Sequence, residues 1–160
     1  MLALGIDPGT ATTGYGLVLE LPDGNLQVVE FGIISTPKND SAPSRLIQLY
    51  EGLTGILNRH HPETCAVEKL FFQSNVSTAI AVGQARGVAI LALAQAGLEI
   101  GEYTPNEVKQ AVTGYGSADK KQVQEMVKML LSLDKIPKPD DAADALAIAI
   151  THLNTRRYSS

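Results

Sequence analysis

Apolar residues fill positions 2–6 and stop at Asp7-Pro8-Gly9, the pattern of a strand that ends in a turn. Positions 14–21 are again rich in Val and Leu. Pro22-Asp23-Gly24-Asn25 then supplies turn residues before a third strand over 26–35. Three strands joined this tightly pair as an antiparallel meander. After a polar, proline-bearing loop at 36–44, Leu46, Leu49, Leu53, Ile56 and Leu57 recur at the spacing of an amphipathic helix. Residues 64–67 form a short strand ending at Glu68, 76–96 a long apolar helix, and 98–103 a fifth strand closed by Thr104-Pro105. Helices follow over 106–112, 120–133 and 140–153, separated by a loop at 114–119 and a break at 135–139. The polar residues 154–160 read as a disordered tail. Alternating strands and helices in the second half predict parallel pairing. The expected fold is therefore α/β: one domain over residues 1–153, with a five-stranded mixed sheet of three antiparallel strands and two further parallel ones, flanked by helices. Ligands of such sheets gather at the carboxyl ends of strands, where Asp7 and Glu68 lie.

Composition narrows the class. A chain of 160 residues, 44% of them hydrophobic, suffices for a single ordinary core. No basic stretch precedes the first apolar run, so a cytoplasmic protein is expected. The lone cysteine, Cys65, excludes an internal disulfide, and with His60 and His61 it makes no zinc spacing; it reads as a small buried strand residue. The apolar stretch at 76–96 carries Gln84, Arg86 and Gln95, which favours a buried helix of a soluble protein over a membrane span. A net charge of -4 and a pI near 5.3 argue against a general nucleic-acid binder. The charge is uneven: residues 1–60 hold three Lys and Arg against six acids, and 101–160 hold eight of each. Setting aside four of the 17 acids as metal ligands leaves 13, which equals the number of Lys and Arg.

Those four acids are Asp7, Glu68, Asp141 and Asp144. Asp7 ends a strand apolar enough to be central, where a carboxylate needs a partner, although a plain turn start is the alternative. If the strand ending at Glu68 neighbours the first, the two carboxylates stand side by side and repel unless a cation lies between them. Taken alone, Glu68 is equally well a solvated charge paired with Lys69. Asp141 and Asp144 are three apart near a helix N-terminus and share a face, with Asp140 as a cap or first-turn residue, a plain role that is also the alternative for Asp141. Asp144 sits among Ala142, Ala143, Ala145, Leu146 and Ala147, so its helix should be buried and its charge should need a metal or a partner. Four acids from three elements suit a two-metal phosphodiesterase, which needs no nucleophilic side chain. Candidates for DNA contact are Lys109, Lys120, Lys121 and Lys128, each also readable as part of a solvated face, Arg86, and Phe71 and Phe72, which either stack on bases or pack inward.

Gly5-Ile6-Asp7-Pro8-Gly9-Thr10, Val67-Glu68, Gly83-Gln84-Ala85-Arg86-Gly87-Val88-Ala89, Gly116-Ser117-Ala118-Asp119-Lys120 and Asp141-Ala142-Ala143-Asp144-Ala145-Leu146-Ala147, in that order and spacing, resemble the RuvC crossover-junction endonuclease family. The resemblance implies a ribonuclease H-like fold, and a homodimer that nicks two symmetry-related strands of a four-way DNA junction. It also implies two magnesium or manganese ions per site and the branch-migration proteins RuvA and RuvB as partners. Asp7, Glu68, Asp141 and Asp144 fall on the family's catalytic acids; some relatives carry histidine where this chain has Asp141. Phe71 matches an aromatic that contacts DNA, and Lys109 and Lys120 match supporting basic residues, whereas Phe72-Gln73-Ser74 departs from the pattern. Gly83 and Gly87, four apart among alanines, offer a close-packing face for the dimer or for the chain's own sheet. Asp7-Pro8-Gly9-Thr10 with Thr13-Gly14 also resembles the first phosphate loop of actin-like and sugar-kinase ATPases, but those bind nucleotide between two domains and this chain is expected to hold one. A junction-binding module without catalysis is the remaining alternative.

Overall fold

The computed structural model describes residues 1–9, 11–69 and 75–159. Its elements are β1 (Leu2–Asp7), β2 (Thr12–Glu20), β3 (Leu26–Ser35), α1 (Ala42–His60), β4 (Thr64–Glu68), α2 (Val76–Gln95), β5 (Ile100–Tyr103), α3 (Pro105–Thr113), α4 (Lys120–Leu130) and α5 (Asp140–Ser159). The sheet has five strands in the order β3-β2-β1-β4-β5, with β1 antiparallel to β2, β2 antiparallel to β3, and parallel pairs β1/β4 and β4/β5. Both the meander and the parallel half therefore match the sequence reading. Local signals set the helix starts: Ser41 caps α1, Asn75 caps α2, and reciprocal capping boxes open α3 at Thr104/Glu107 and α4 at Asp119/Gln122.

Strand alternation divides the core into two layers. Leu4, Ile6, Leu17, Cys65 and Val67 face α1 and α2, where they pack with Leu49, Leu53, Ala89 and Leu93. Ala3, Val18, Ala66 and Tyr103 face the α3–α5 layer and pack against Leu146, Ile148 and Ile150. By the same alternation Gly5 and Asp7 of β1, Thr12, Gly14 and Gly16 of β2, and Thr64 and Glu68 of β4 lie on the α5 side. The glycines bring α5 unusually close. A Cβ on Gly5 would lie 2.1 Å from the Ala145 carbonyl oxygen, one on Gly14 2.0 Å from the Asp141 carbonyl oxygen, and one on Gly16 2.7 Å from Leu146. A buried polar network fixes the far half of α5: the His152 ring hydrogen-bonds Thr64 Oγ1 at 2.6 Å and the Tyr103 hydroxyl at 2.8 Å. Burial and Arg156 lower the His152 pKa, so a neutral ring is held there, donating from one nitrogen and accepting at the other.

Three expectations change. The residues expected to form a disordered tail are helical through Ser159, because Arg157 docks back on Glu20 at 2.7 Å and on the Gly24 carbonyl, with basic residues favourably placed at a helix C-terminus. β5 and α4 are shorter than the apolar pattern suggests, since Leu98 and Leu133 continue the core outside regular structure. The third correction concerns α2, which is not a buried helix. Its buried residues are Ala79, Ala85, Ala89, Ala92 and Leu93, while Val76, Ile80 and Leu91 stand at 69%, 58% and 51% exposure.

If the glycine contact sets the α5 position, Gly5→Ala forces helix and sheet apart and costs about 1–3 kcal/mol of stability. Gly55, in the exposed middle of α1 with nothing within 4 Å of where a Cβ would stand, is the control: Gly55→Ala is expected to leave stability unchanged or raise it. Thermal unfolding of the two variants checks this, and equal melting temperatures would remove the close-approach argument.

Candidate active site

Asp7 and Glu68 stand at the carboxyl ends of adjacent parallel strands, one residue beyond the last paired positions Ile6 and Val67. Both point to the α5 side, where Asp141 and Asp144 occupy the first turns of the helix. Carboxylate oxygens of Asp7, Asp141 and Asp144 converge within 4.8 Å of one another. Glu68 lies outside that set of three but stands beside Asp7 at the end of the neighbouring strand, where its charge raises the Asp7 carboxyl. All four acids singled out in the sequence are thus neighbours. Glu68 is half-buried beside Asp7 rather than a fully solvated strand-end charge.

The electrostatics are those of an acidic cluster under mutual repulsion. Burial first, and then the charges of Glu68, Asp144 and Asp141, push the Asp7 carboxyl up to about 8. Burial also raises Glu68 and Asp144, reinforced by the charge of Asp144 on Glu68 and of Asp141 and Asp140 on Asp144. Oxygen-only donors that repel one another fit a hard divalent cation. Lys120 brings a positive charge to the edge of the cluster, with its Nζ 3.2 Å from Asp140 and 3.9 Å from Asp144. Asp140, read as a first-turn residue, thus also tethers this lysine, and it accepts from Gln124 Nε2 at 3.2 Å.

Two contributors escaped the sequence reading. Thr12 Oγ1 donates to Asp141 Oδ2 at 2.6 Å, and Gly14 makes the room in which the Asp141 backbone sits. Thr12 precedes the expected start of the second strand, so its place on the face of Gly14 follows only once the strand is known to begin there. Beside the carboxylates a hollow of about 220 Å³ is lined by Glu68, Asp144, Lys109 and Lys120 over a floor of Val108, Val123 and Ile148. Lys121 lines a different hollow with Tyr115 and Asp119. Arg86 pairs with Glu102 and donates to the Glu68 carbonyl oxygen at 3.3 Å, from the α2 side of the sheet. Phe71 and Phe72, the stacking candidates, lie outside the described residues.

Known proteins share both the sequence pattern and this architecture. The family model described as crossover junction endodeoxyribonuclease RuvC matches residues 3–152. The crossover junction endodeoxyribonuclease RuvC of Chloroflexus aurantiacus is 61% identical over 97% of this chain and 94% of its own length. The solved structure of Thermus thermophilus RuvC aligns with a TM-score of 0.93 at 35% identity, covering 99% of this chain and 97% of that one. The same protein in complex with Holliday junction substrate gives 0.91 at 33% identity, with 99% and 96% covered. The architecture is accordingly ribonuclease H-like.

The raised Asp7 carboxyl makes metal-free stability depend on pH with a definite sign. Between the ordinary value of 3.8 and about 8 the folded state holds a proton that the unfolded chain has released, so stability falls as pH rises across that window. Melting temperatures of chelator-treated protein are expected to decline from about pH 4 to about pH 8, and the gain on adding Mn2+ to grow over the same range as the metal replaces the proton. The decline should flatten in Asp7→Asn. A chelated protein as stable at pH 8 as at pH 5, alongside an unaltered Asp7→Asn profile, contradicts the raised Asp7 carboxyl.

Proposed function

The chain belongs to the crossover junction endodeoxyribonuclease RuvC family, and on that basis we propose that it is a structure-selective endonuclease that resolves four-way DNA junctions in recombination and repair, using Asp7, Glu68, Asp141 and Asp144 to hold two magnesium or manganese ions. The observation that carries the reading is the convergence of Asp7, Asp141 and Asp144 from a strand end and a helix start, with Glu68 beside Asp7 at the end of the neighbouring strand. When bound by these four acids, the ions would supply an activated water and would stabilise the departing oxygen of an in-line displacement.

The chain's own residues do the rest. Asp7 stands between Glu68 on the neighbouring strand and the Asp141 and Asp144 pair on the helix, so it joins the strand pair to the helix pair. Thr12 holds Asp141 by one oxygen and leaves the other available. Lys109 and Lys120, on the rim of the hollow beside Glu68 and Asp144, meet the phosphates on either side of the cut, and the apolar floor limits water there. Lys121 lies farther along the same end of α4 and meets DNA away from the cut. Loading the acids with metal offsets the net charge of -4 that otherwise opposes DNA.

A homodimer supplies the second site. The α2 residues Val76, Ile80, Gly83, Gly87 and Leu91 recur at helical spacing. The first two and Leu91 are exposed, and Gly87 has nothing within 4 Å of where a Cβ would stand. Among the described residues, packing on its own sheet leaves Val76, Ile80, Gly87 and Leu91 uncovered. A second copy related by a twofold axis buries it and matches the symmetry of the junction. Arg86 interrupts the helix with a charge and engages Glu102, which does not suit a membrane span. The enzyme works in the cytoplasm with the branch-migration proteins RuvA and RuvB, as the family resemblance implies.

Incubating the protein with a labelled four-way junction, a linear duplex and ATP, with and without Mg2+, tests the activity. Expected are paired nicks in the junction alone, abolished by chelator and by Asp7→Asn. Lys109→Ala is expected to weaken junction binding and lower its salt slope by about one. Binding without cleavage, or ATP turnover, would sink the proposal. For the dimer, Ile80→Asp should sediment as a monomer and lose the pairing of the nicks; a monomer with normal paired nicking contradicts the assembly.

A further inference from the structure

We propose that Arg86 is a positioning residue for the active site: from the face of the sheet opposite the carboxylates, it clamps the carboxyl end of β4 and so sets where Glu68 stands. Its guanidinium makes two contacts at once. Nε donates to the Glu68 main-chain oxygen at 3.3 Å, and a terminal nitrogen pairs with the Glu102 carboxylate. Register explains the arrangement. Glu102 lies opposite Val67 and Tyr103 opposite Glu68 in the parallel β4/β5 pair, so Glu102 falls on the α2 side while Tyr103 packs toward α5.

Glu68 sits where the sheet runs out. The Lys69 amide still donates to the Tyr103 carbonyl at 2.8 Å, whereas on the other side the β1/β4 pairing has already ended at Ile6 and Val67. Arg86 therefore replaces missing sheet partners at the residue that carries a catalytic carboxylate. With its side chain only 19% exposed, the guanidinium is a largely covered charge that both partners satisfy. The fork also selects arginine: a single ammonium on a flexible stem does not hold a carbonyl and a carboxylate in one fixed plane. A carboxylate that binds Mg2+ or Mn2+ must meet a strict geometry, so a main-chain shift at Glu68 is felt as weaker metal binding.

The inference rests on reading Glu68 as a metal-holding carboxylate, and the test separates the two. Mn2+ binding to the chelator-stripped protein without DNA is measured by titration calorimetry for the wild type, Arg86→Ala, Arg86→Lys, Glu102→Gln and the Arg86→Ala/Glu102→Gln double variant. Junction binding in chelator and melting temperature are measured alongside. Expected is a loss of about 10–100-fold in Mn2+ affinity for Arg86→Ala, no rescue by Arg86→Lys, a smaller loss for Glu102→Gln, and a double variant no worse than Arg86→Ala. Junction affinity and its salt slope should stay at the wild-type values. Unchanged Mn2+ affinity with a lower salt slope would make Arg86 a DNA contact and overturn the proposal, as would a lower melting temperature with Mn2+ affinity intact. If Arg86→Ala does not fold, Glu102→Gln decides by the same readings. A wild type that binds no Mn2+ overturns the metal-site reading and this inference with it, whereas wild-type binding with unaffected variants overturns this inference alone.

Discussion

The site depends on how closely α5 approaches the sheet. Helices ordinarily stand off a sheet by the length of two layers of side chains, and at that distance the carboxylates of Asp141 and Asp144 do not reach Asp7. Here the sheet offers hydrogen atoms at Gly5, Gly14 and Gly16, and the helix answers with Ala142, Ala145 and Ala149. Backbone meets backbone, and acids from a strand end and a helix start come within one ion's reach. His152, held by Thr64 and Tyr103, pins the helix two turns farther on, so neither end of α5 slides. Packing density and the geometry of the acidic cluster are the same feature in this molecule, since any side chain added at the glycines fills the space that lets the acids meet.

That proximity has an electrostatic consequence. Burying several carboxylates together is unfavourable until something positive or a shared proton relieves them. The protein relieves them only in part: Lys120 compensates Asp144 from 3.9 Å, while Asp140 competes for the same ammonium at 3.2 Å. Asp7 keeps a proton well above the ordinary range. The cluster is thus held ready for divalent cations by a fold that is stable enough to tolerate its repulsion. The opposite face of the sheet contributes differently. α2 turns one flank of small and aliphatic residues outward and sends Arg86 inward to the end of β4.

Much of this was legible in the chain. Strand and helix periodicity, the turn at residues 22–25 and the capping residues determined the order of elements and the mixed sheet, because these are local effects that each segment carries with it. Asp7 at a strand end and Asp144 inside an alanine-rich helix stood out for a related reason: a charge embedded in an apolar pattern must have a partner. Tertiary structure decided what depends on distant segments meeting. It placed β1 beside β4, so that Glu68 became a neighbour of Asp7, and it showed Thr12 holding Asp141 from 129 positions away. It placed Arg86 against Glu102 and the Glu68 carbonyl, exposed a face of α2 that composition alone made look buried, and carried α5 on to Ser159 through an ion pair with Glu20. Periodicity states which residues turn inward on their own element, but not which other element they meet. That is settled only when close packing, such as α5 on three glycines, selects one arrangement of the segments over the rest.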